Sequence, residues 1–76
     1  MRILLVEDEP ELARWLAKTL ARHAGIVVDW ADDGALADRR LATEDFDAVV
    51  LDLGLPGLDG HGVIARMRER DDRTPV

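Results

Sequence analysis

The 76-residue chain contains no cysteine, a single lysine and no long apolar run. Without cysteine there is no disulfide framework, no thiolate metal site and no thiol nucleophile. The longest uncharged apolar run near the start, Ile3 to Val6, is far too short for a signal peptide or a bilayer span. Arginine at position 2 and the absence of cysteine remove the lipidation signals. Basic side chains are in the minority, 10 against 16 acidic ones, and the net charge of −6 opposes a grip on a phosphate backbone. Repeats, low-complexity stretches and Gly/Ser linkers are absent as well. The expectation left standing is one small soluble domain of a reducing compartment, cytoplasmic and without a membrane partner. Hydrophobic residues make up 47% of the chain, which excludes a disordered composition. A chain of this size buries only roughly 60–65% of the surface its unfolded form exposes, so the core is thin. Small domains of that kind usually need a staple or a partner.

The apolar pattern alternates between two periods. Arg2-Ile-Leu-Leu-Val6 reads as a strand covered on both faces. Asp8, Glu9 and Pro10 form a helix-start signature, with carboxylates at the positive end of the dipole. Leu12, Trp15, Leu16, Thr19 and Leu20 recur at helical spacing up to a stop at Gly25, which places Trp15 in the core. Ile26 to Ala31 reads as a second strand, Ala35 to Thr43 as a second helix and Asp47 to Leu51 as a third strand. Asp52 to Gly60 is turn-rich. Gly60 to Arg70 follows as a helix capped by Asp59, with Val63, Ile64 and Met67 on one face. Thr74-Pro75-Val76 opens another strand. Such βα alternation with short connections predicts an α/β fold, a doubly wound parallel sheet with helices on both faces.

In open parallel sheets, sites form beyond the carboxyl ends of the strands, where strand order reverses. Glu7 and Asp8 follow the first strand and Asp52 follows the third, so adjacency of those strands brings three carboxylates together. Like charges that close raise one another's pKa unless a cation sits among them. Carboxylate oxygens with a backbone carbonyl suit Mg2+, which binds through few carboxylates and keeps several waters. Such an ion neutralises an incoming phosphoryl group and leaves one carboxylate free as nucleophile. Taken alone, the Glu7-Asp8 pair reads more readily as helix capping, with Asp8 or Glu9 as the cap, and Asp52 as an ordinary turn residue. The glycines of Gly54-Leu-Pro-Gly-Leu-Asp-Gly60 permit close approach of a ligand, or simply make the turns.

The motifs Ile3-Leu-Leu-Val-Glu-Asp-Glu-Pro10, Ala31-Asp-Asp-Gly34 and Asp45-Phe-Asp-Ala-Val-Val-Leu-Asp-Leu-Gly-Leu-Pro-Gly-Leu-Asp-Gly60 carry a resemblance to the receiver domain of two-component response regulators. The wording of the last motif is most similar to regulators with a winged-helix DNA-binding output domain. The resemblance implies a flavodoxin-like fold of strand order 2-1-3-4-5, of which residues 1–76 supply the first three βα units of five. It implies Asp52 as phosphoryl acceptor, Mg2+ held by Asp8 directly, by Glu7 through water and by the Gly54 backbone carbonyl, and a sensor histidine kinase as donor. DNA binding would belong to an output domain beyond these 76 residues, following an N-terminal receiver. The domain would be a phosphoacceptor, no enzyme beyond assisting its own phosphorylation and dephosphorylation.

The resemblance also names what these residues lack, a hydroxyl residue after a fourth strand and a lysine after a fifth. Lys18 lies on the first helix, away from the strand ends. A non-phosphorylated interaction fragment is therefore the principal rival. An aspartyl-phosphate phosphohydrolase is weaker, since Gly54 stands where such enzymes carry a second aspartate. A P-loop or a Gly-x-Gly-x-x-Gly turn is absent, which argues against nucleotide binding. The order 2-1-3 leaves Ala48-Val49-Val50-Leu51 as a bare apolar edge, for which self-association is expected. His61 and His23 read as exposed helix residues, Trp30 as a bystander near the strand ends, and Arg66 to Arg73 as a solvated helix end.

Overall fold

Strand β1 (Arg2–Val6) is the centre of the molecule, and four of its five side chains are buried. The computed structural model describes residues 1–76. Helix α1 (Pro10–Ala21), strand β2 (Val27–Ala31), helix α2 (Gly34–Thr43), strand β3 (Ala48–Leu51) and helix α3 (Gly60–Glu69) follow in order. β2 and β3 flank β1 in the order β2-β1-β3, and both pairings are parallel. The anticipated βα alternation and the reversal of strand order at β1 are both present.

Register assigns the faces of the sheet. Leu4 and Val6 of β1 and Val49 of β3 point to one side, where Ala37 and Leu41 of α2, Val63 and Met67 of α3, Phe46 and Leu55 close a single cluster. Ile3 and Leu5 point to the other side, where α1 packs against β2 and β1 with Ala13 as its buried residue. This corrects the core assignment of Trp15, which is 62% exposed, with Leu12 half exposed nearby. The stripe is real at helical spacing, but of its large apolar side chains only Leu16 and Leu20, on the side of Ala13, are half-buried, and Trp15 and Leu12 are turned outward. Val50, opposite Leu5 on the same face, is exposed because α1 lies over β2 and β1.

Each helix begins at an acidic cap. Glu9 accepts from the Glu11 N–H, Asp33 from the Leu36 N–H at 2.7 Å, and Asp59 from the Gly62 N–H at 2.8 Å. Glu9 thus takes the capping duty that the sequence left open between Glu9 and Asp8. At the amino end of the sheet, Arg2 joins Asp29 and Glu44 while lying over the Phe46 ring. Arg40 reaches the same two carboxylates. The arginines of α3 are less free than a solvated helix end implies. Arg70 and Arg66 reach Asp38 of α2, which ties the two helices on that face.

The β3 edge differs from its expected bareness. The Val49 N–H donates to the Pro75 carbonyl at 2.8 Å, so Thr74-Pro75-Val76 begins to line that edge. Proline has no N–H to return, and the cover is one bond deep.

Candidate functional site

Both strands that carry the candidate acids end in step. The Asp52 N–H donates to the Val6 carbonyl at 3.0 Å, and the Glu7 N–H donates to the Ala31 carbonyl at 3.1 Å. These bonds continue the ladder one residue past each strand and bring the acids to one edge. Glu7, Asp8 and Asp52 each place a carboxylate oxygen within 4.8 Å of the others. The convergence read from the strand order is therefore realised.

The three acids sit in different surroundings. Glu7 is buried, Asp52 half-buried and Asp8 exposed. Burial pushes the Glu7 carboxyl above the usual carboxylate range, and the charges of Asp52 and Asp8 push the same way. The Glu9 N–H, donating to Glu7 Oε1 at 3.1 Å, pulls against them. All seven ion pairs of the chain go to other acids, so no arginine or lysine neutralises this cluster. An all-oxygen donor set of three uncompensated carboxylates fits a hard divalent cation. Two oxygens bound directly to one Mg2+ lie at most about 4.2 Å apart, close to the 4.8 Å within which all three acids offer an oxygen.

The turn after β3 shapes the remainder. Asp52 Oδ1 accepts from the Gly54 N–H at 2.9 Å, an Asx-type turn that orients the carboxylate. The loop glycines serve the protein more than a ligand. A Cβ on Gly60 would lie 2.7 Å from the Asp52 carbonyl oxygen, and one on Gly34 would overlap the Leu58 carbonyl. Gly34 entered the sequence reading only as the end of the Ala31-Asp-Asp-Gly34 motif, with no packing role. It is the point where the loop after β3 presses on the start of α2, a contact across 24 residues that no local pattern announces.

A further feature escaped sequence reasoning. The Trp30 indole Nε1–H donates to the Glu7 carbonyl at 2.8 Å. The only available signal was an aromatic residue one position before the end of a strand beside an acidic strand end. The one cavity, about 320 Å3 and lined by Glu11, Arg14, Trp15 and Lys18, lies on α1 away from the acids. None of the three acids lines it, and of them Asp8 is exposed and Asp52 half-buried. His61 is exposed at the start of α3, as expected.

Fold and site together define an α/β domain with an acidic cluster at its strand ends. The chain belongs to the response regulator receiver domain family, whose model matches residues 3–76. It is 46% identical over all 76 residues to the transcriptional activator protein IrlR of Burkholderia pseudomallei, and spans about a third (32%) of that protein's length. The Francisella response regulator 1452 receiver domain superposes with a TM-score of 0.92 at 28% identity, covering 99% of this chain and 61% of that one. The response regulator TrrA of Thermotoga maritima, solved in complex with Mg2+-BeF, superposes with a TM-score of 0.85 at 33% identity over 92% of this chain and 60% of that one. TrrA has also been solved in complex with the histidine kinase ThkA, with a TM-score of 0.86 at 32% identity over 96% of this chain and 62% of that one.

Proposed function

We propose that this chain is the phosphoacceptor part of a two-component transcriptional regulator, with Asp52 accepting a phosphoryl group from a sensor histidine kinase in a Mg2+-dependent reaction. The observation that carries the reading is the cluster of Glu7, Asp8 and Asp52, three carboxylates within 4.8 Å with no cationic partner. Support comes from TrrA, a relative in fold seen both with Mg2+-BeF and with a histidine kinase.

In this reading an Asp52 carboxylate oxygen attacks phosphorus in line with the departing nitrogen of a phosphohistidine. A P–O bond forms as the P–N bond breaks, and the leaving imidazole takes up a proton. Asp8 would hold the metal directly, Glu7 would hold it through water, and Asp52 and the Gly54 carbonyl would complete the protein ligands. When bound, Mg2+ offsets the charge that would otherwise repel the incoming phosphoryl oxygens. The Gly54 N–H donating to Oδ1 fixes the rotation of the Asp52 carboxylate and leaves the second oxygen for attack. The kinase and a DNA-binding output domain, reached through the rest of the regulator, are the partners this reading implies.

The test is phosphorylation by acetyl phosphate with Mg2+ or with excess chelator, followed by hydroxylamine. A phosphoryl group that appears only with Mg2+ and is released by hydroxylamine is an acyl phosphate, as proposed. Incorporation that is indifferent to the chelator, or a hydroxylamine-stable product, contradicts the metal-assisted aspartyl reading.

A further inference from the structure

Trp30 poses a question that packing does not answer. It lies on the edge strand β2 and is 45% exposed, so burial of the indole contributes little to the core. Its register partner is Leu5, which puts it on the α1 face of the sheet, one residue short of the strand end. From there the indole reaches past β1 and donates to the backbone carbonyl of Glu7. The neighbouring residue of the same strand, Ala31, accepts from the Glu7 N–H. Both backbone groups of Glu7 are thereby held by consecutive residues of β2, and its side chain is held by the Glu9 N–H.

The consequence is geometric. A peptide unit is planar, so fixing the carbonyl of Glu7 also fixes the nitrogen and Cα of Asp8. Asp8 is exposed, and the only other bond across the turn is the Glu9 N–H to Glu7 Oε1, a side-chain bond that leaves the Glu7 carbonyl free, so the tryptophan bond is the one that holds the Glu7–Asp8 peptide itself. Three like charges gathered within 4.8 Å also repel, and the turn between β1 and α1 is where they can separate. The tryptophan bond resists that separation.

We propose that Trp30 is a positioning residue, whose indole N–H holds the Glu7–Asp8 peptide plane so that both carboxylates stay gathered with Asp52 to receive the divalent cation. This inference rests on the metal-binding reading above. It differs from a structural role for Trp30 in its consequence, since losing the N–H weakens the cation site more than the fold. Groups that orient metal ligands contribute about 10–100-fold to affinity when removed, and a single neutral hydrogen bond belongs at the lower end.

The experiment is a Mg2+ titration of the 76-residue chain followed by amide and indole NMR, with thermal unfolding in parallel. The variants are Trp30→Phe and a synthetic chain in which the Trp30 indole is replaced by benzothiophene, which keeps the shape and loses only the N–H. Trp15→Phe serves to assign the two indole signals. The expected result is a Trp30 indole signal that shifts with Mg2+ while that of Trp15 stays still. The benzothiophene chain should bind Mg2+ about tenfold more weakly with little change in melting temperature. Mg2+ affinity equal to that of the unaltered chain in the benzothiophene variant overturns the positioning role and leaves the metal site standing. An unaltered chain that binds no Mg2+ overturns the metal reading, and this inference with it.

Discussion

Asp71 holds a φ of 59° at the end of α3, the one residue other than glycine in the left-handed region. Its N–H donates to the Arg68 carbonyl, and the Asp72 N–H donates to the Met67 carbonyl, the paired bonds of a Schellman stop. Asp71→Gly removes the side-chain strain without touching either bond, and is expected to stabilise the chain by about 0.5–1 kcal/mol, measured by urea unfolding. Gly34 works in the opposite sense. Gly34→Ala sets a Cβ against the Leu58 carbonyl, a backbone atom held by the loop that carries Asp52, and costs about 1–3 kcal/mol. Amide shifts across residues 52–60 in that variant would show the loop giving way; an undisturbed loop would contradict the contact. Sequence alone gave Asp52, Glu7 and Asp8 because strand-end acids follow from local runs and their spacing. It was silent on Gly34 and on the Trp30 bond because both partners lie more than 20 residues away.

Among the elements, α2 was readable in extent and α3 nearly to its buried face: of Val63, Ile64 and Met67, the first and last reach the core and Ile64 is half-buried. α1 was readable in extent but not in orientation. Its apolar stripe is wide, and only packing decides that the Leu16–Leu20 side, next to Ala13, meets the sheet while Leu12 and Trp15 stay outside. Apart from the i,i+4 pair Arg40–Glu44, the ion pairs at the amino end of the sheet were also illegible, since Arg2, Asp29 and the end of α2 meet from three separate segments. That cluster makes a pH prediction. Hydrogen bonds from Arg40 and then Arg2 hold the Glu44 carboxyl well below its ordinary 4.5, at about 2. A depressed carboxyl contributes stability above its unfolded value and loses it as pH falls through its folded one. The thermal midpoint should therefore fall as pH drops from about 5 towards about 2. In Glu44→Gln that acid dependence should be weaker and the midpoint at neutral pH lower. An unchanged acid limb in the variant would mean the cluster contributes nothing, as exposed pairs often do.

At the scale of the whole molecule the chain is as compact as its length allows. Its radius of gyration is 11.6 Å, against about 11.4 Å for a folded chain of this length. The core is lopsided, however: the α2–α3 face of the sheet is closed, while Trp15, Leu12 and Val50 on the α1 face remain open to solvent. With the β3 edge covered by a single bond from Pro75, self-association at high concentration is the expected behaviour. Light scattering should show mass rising with concentration, and Val50→Lys should suppress the rise; a fixed monomer mass would contradict this expectation. None of the helices is long and apolar enough to cross a membrane. The function proposed for the site is that Asp52, gathered with Glu7 and Asp8, accepts a phosphoryl group. Its most direct test is the intact mass of the chain before and after acetyl phosphate and Mg2+, with an Asp52→Asn variant alongside. One phosphoryl adduct on the unaltered chain, located on Asp52 by fragmentation and absent from the variant, is the predicted result. No adduct on the folded chain, or an adduct that persists in Asp52→Asn, would contradict it.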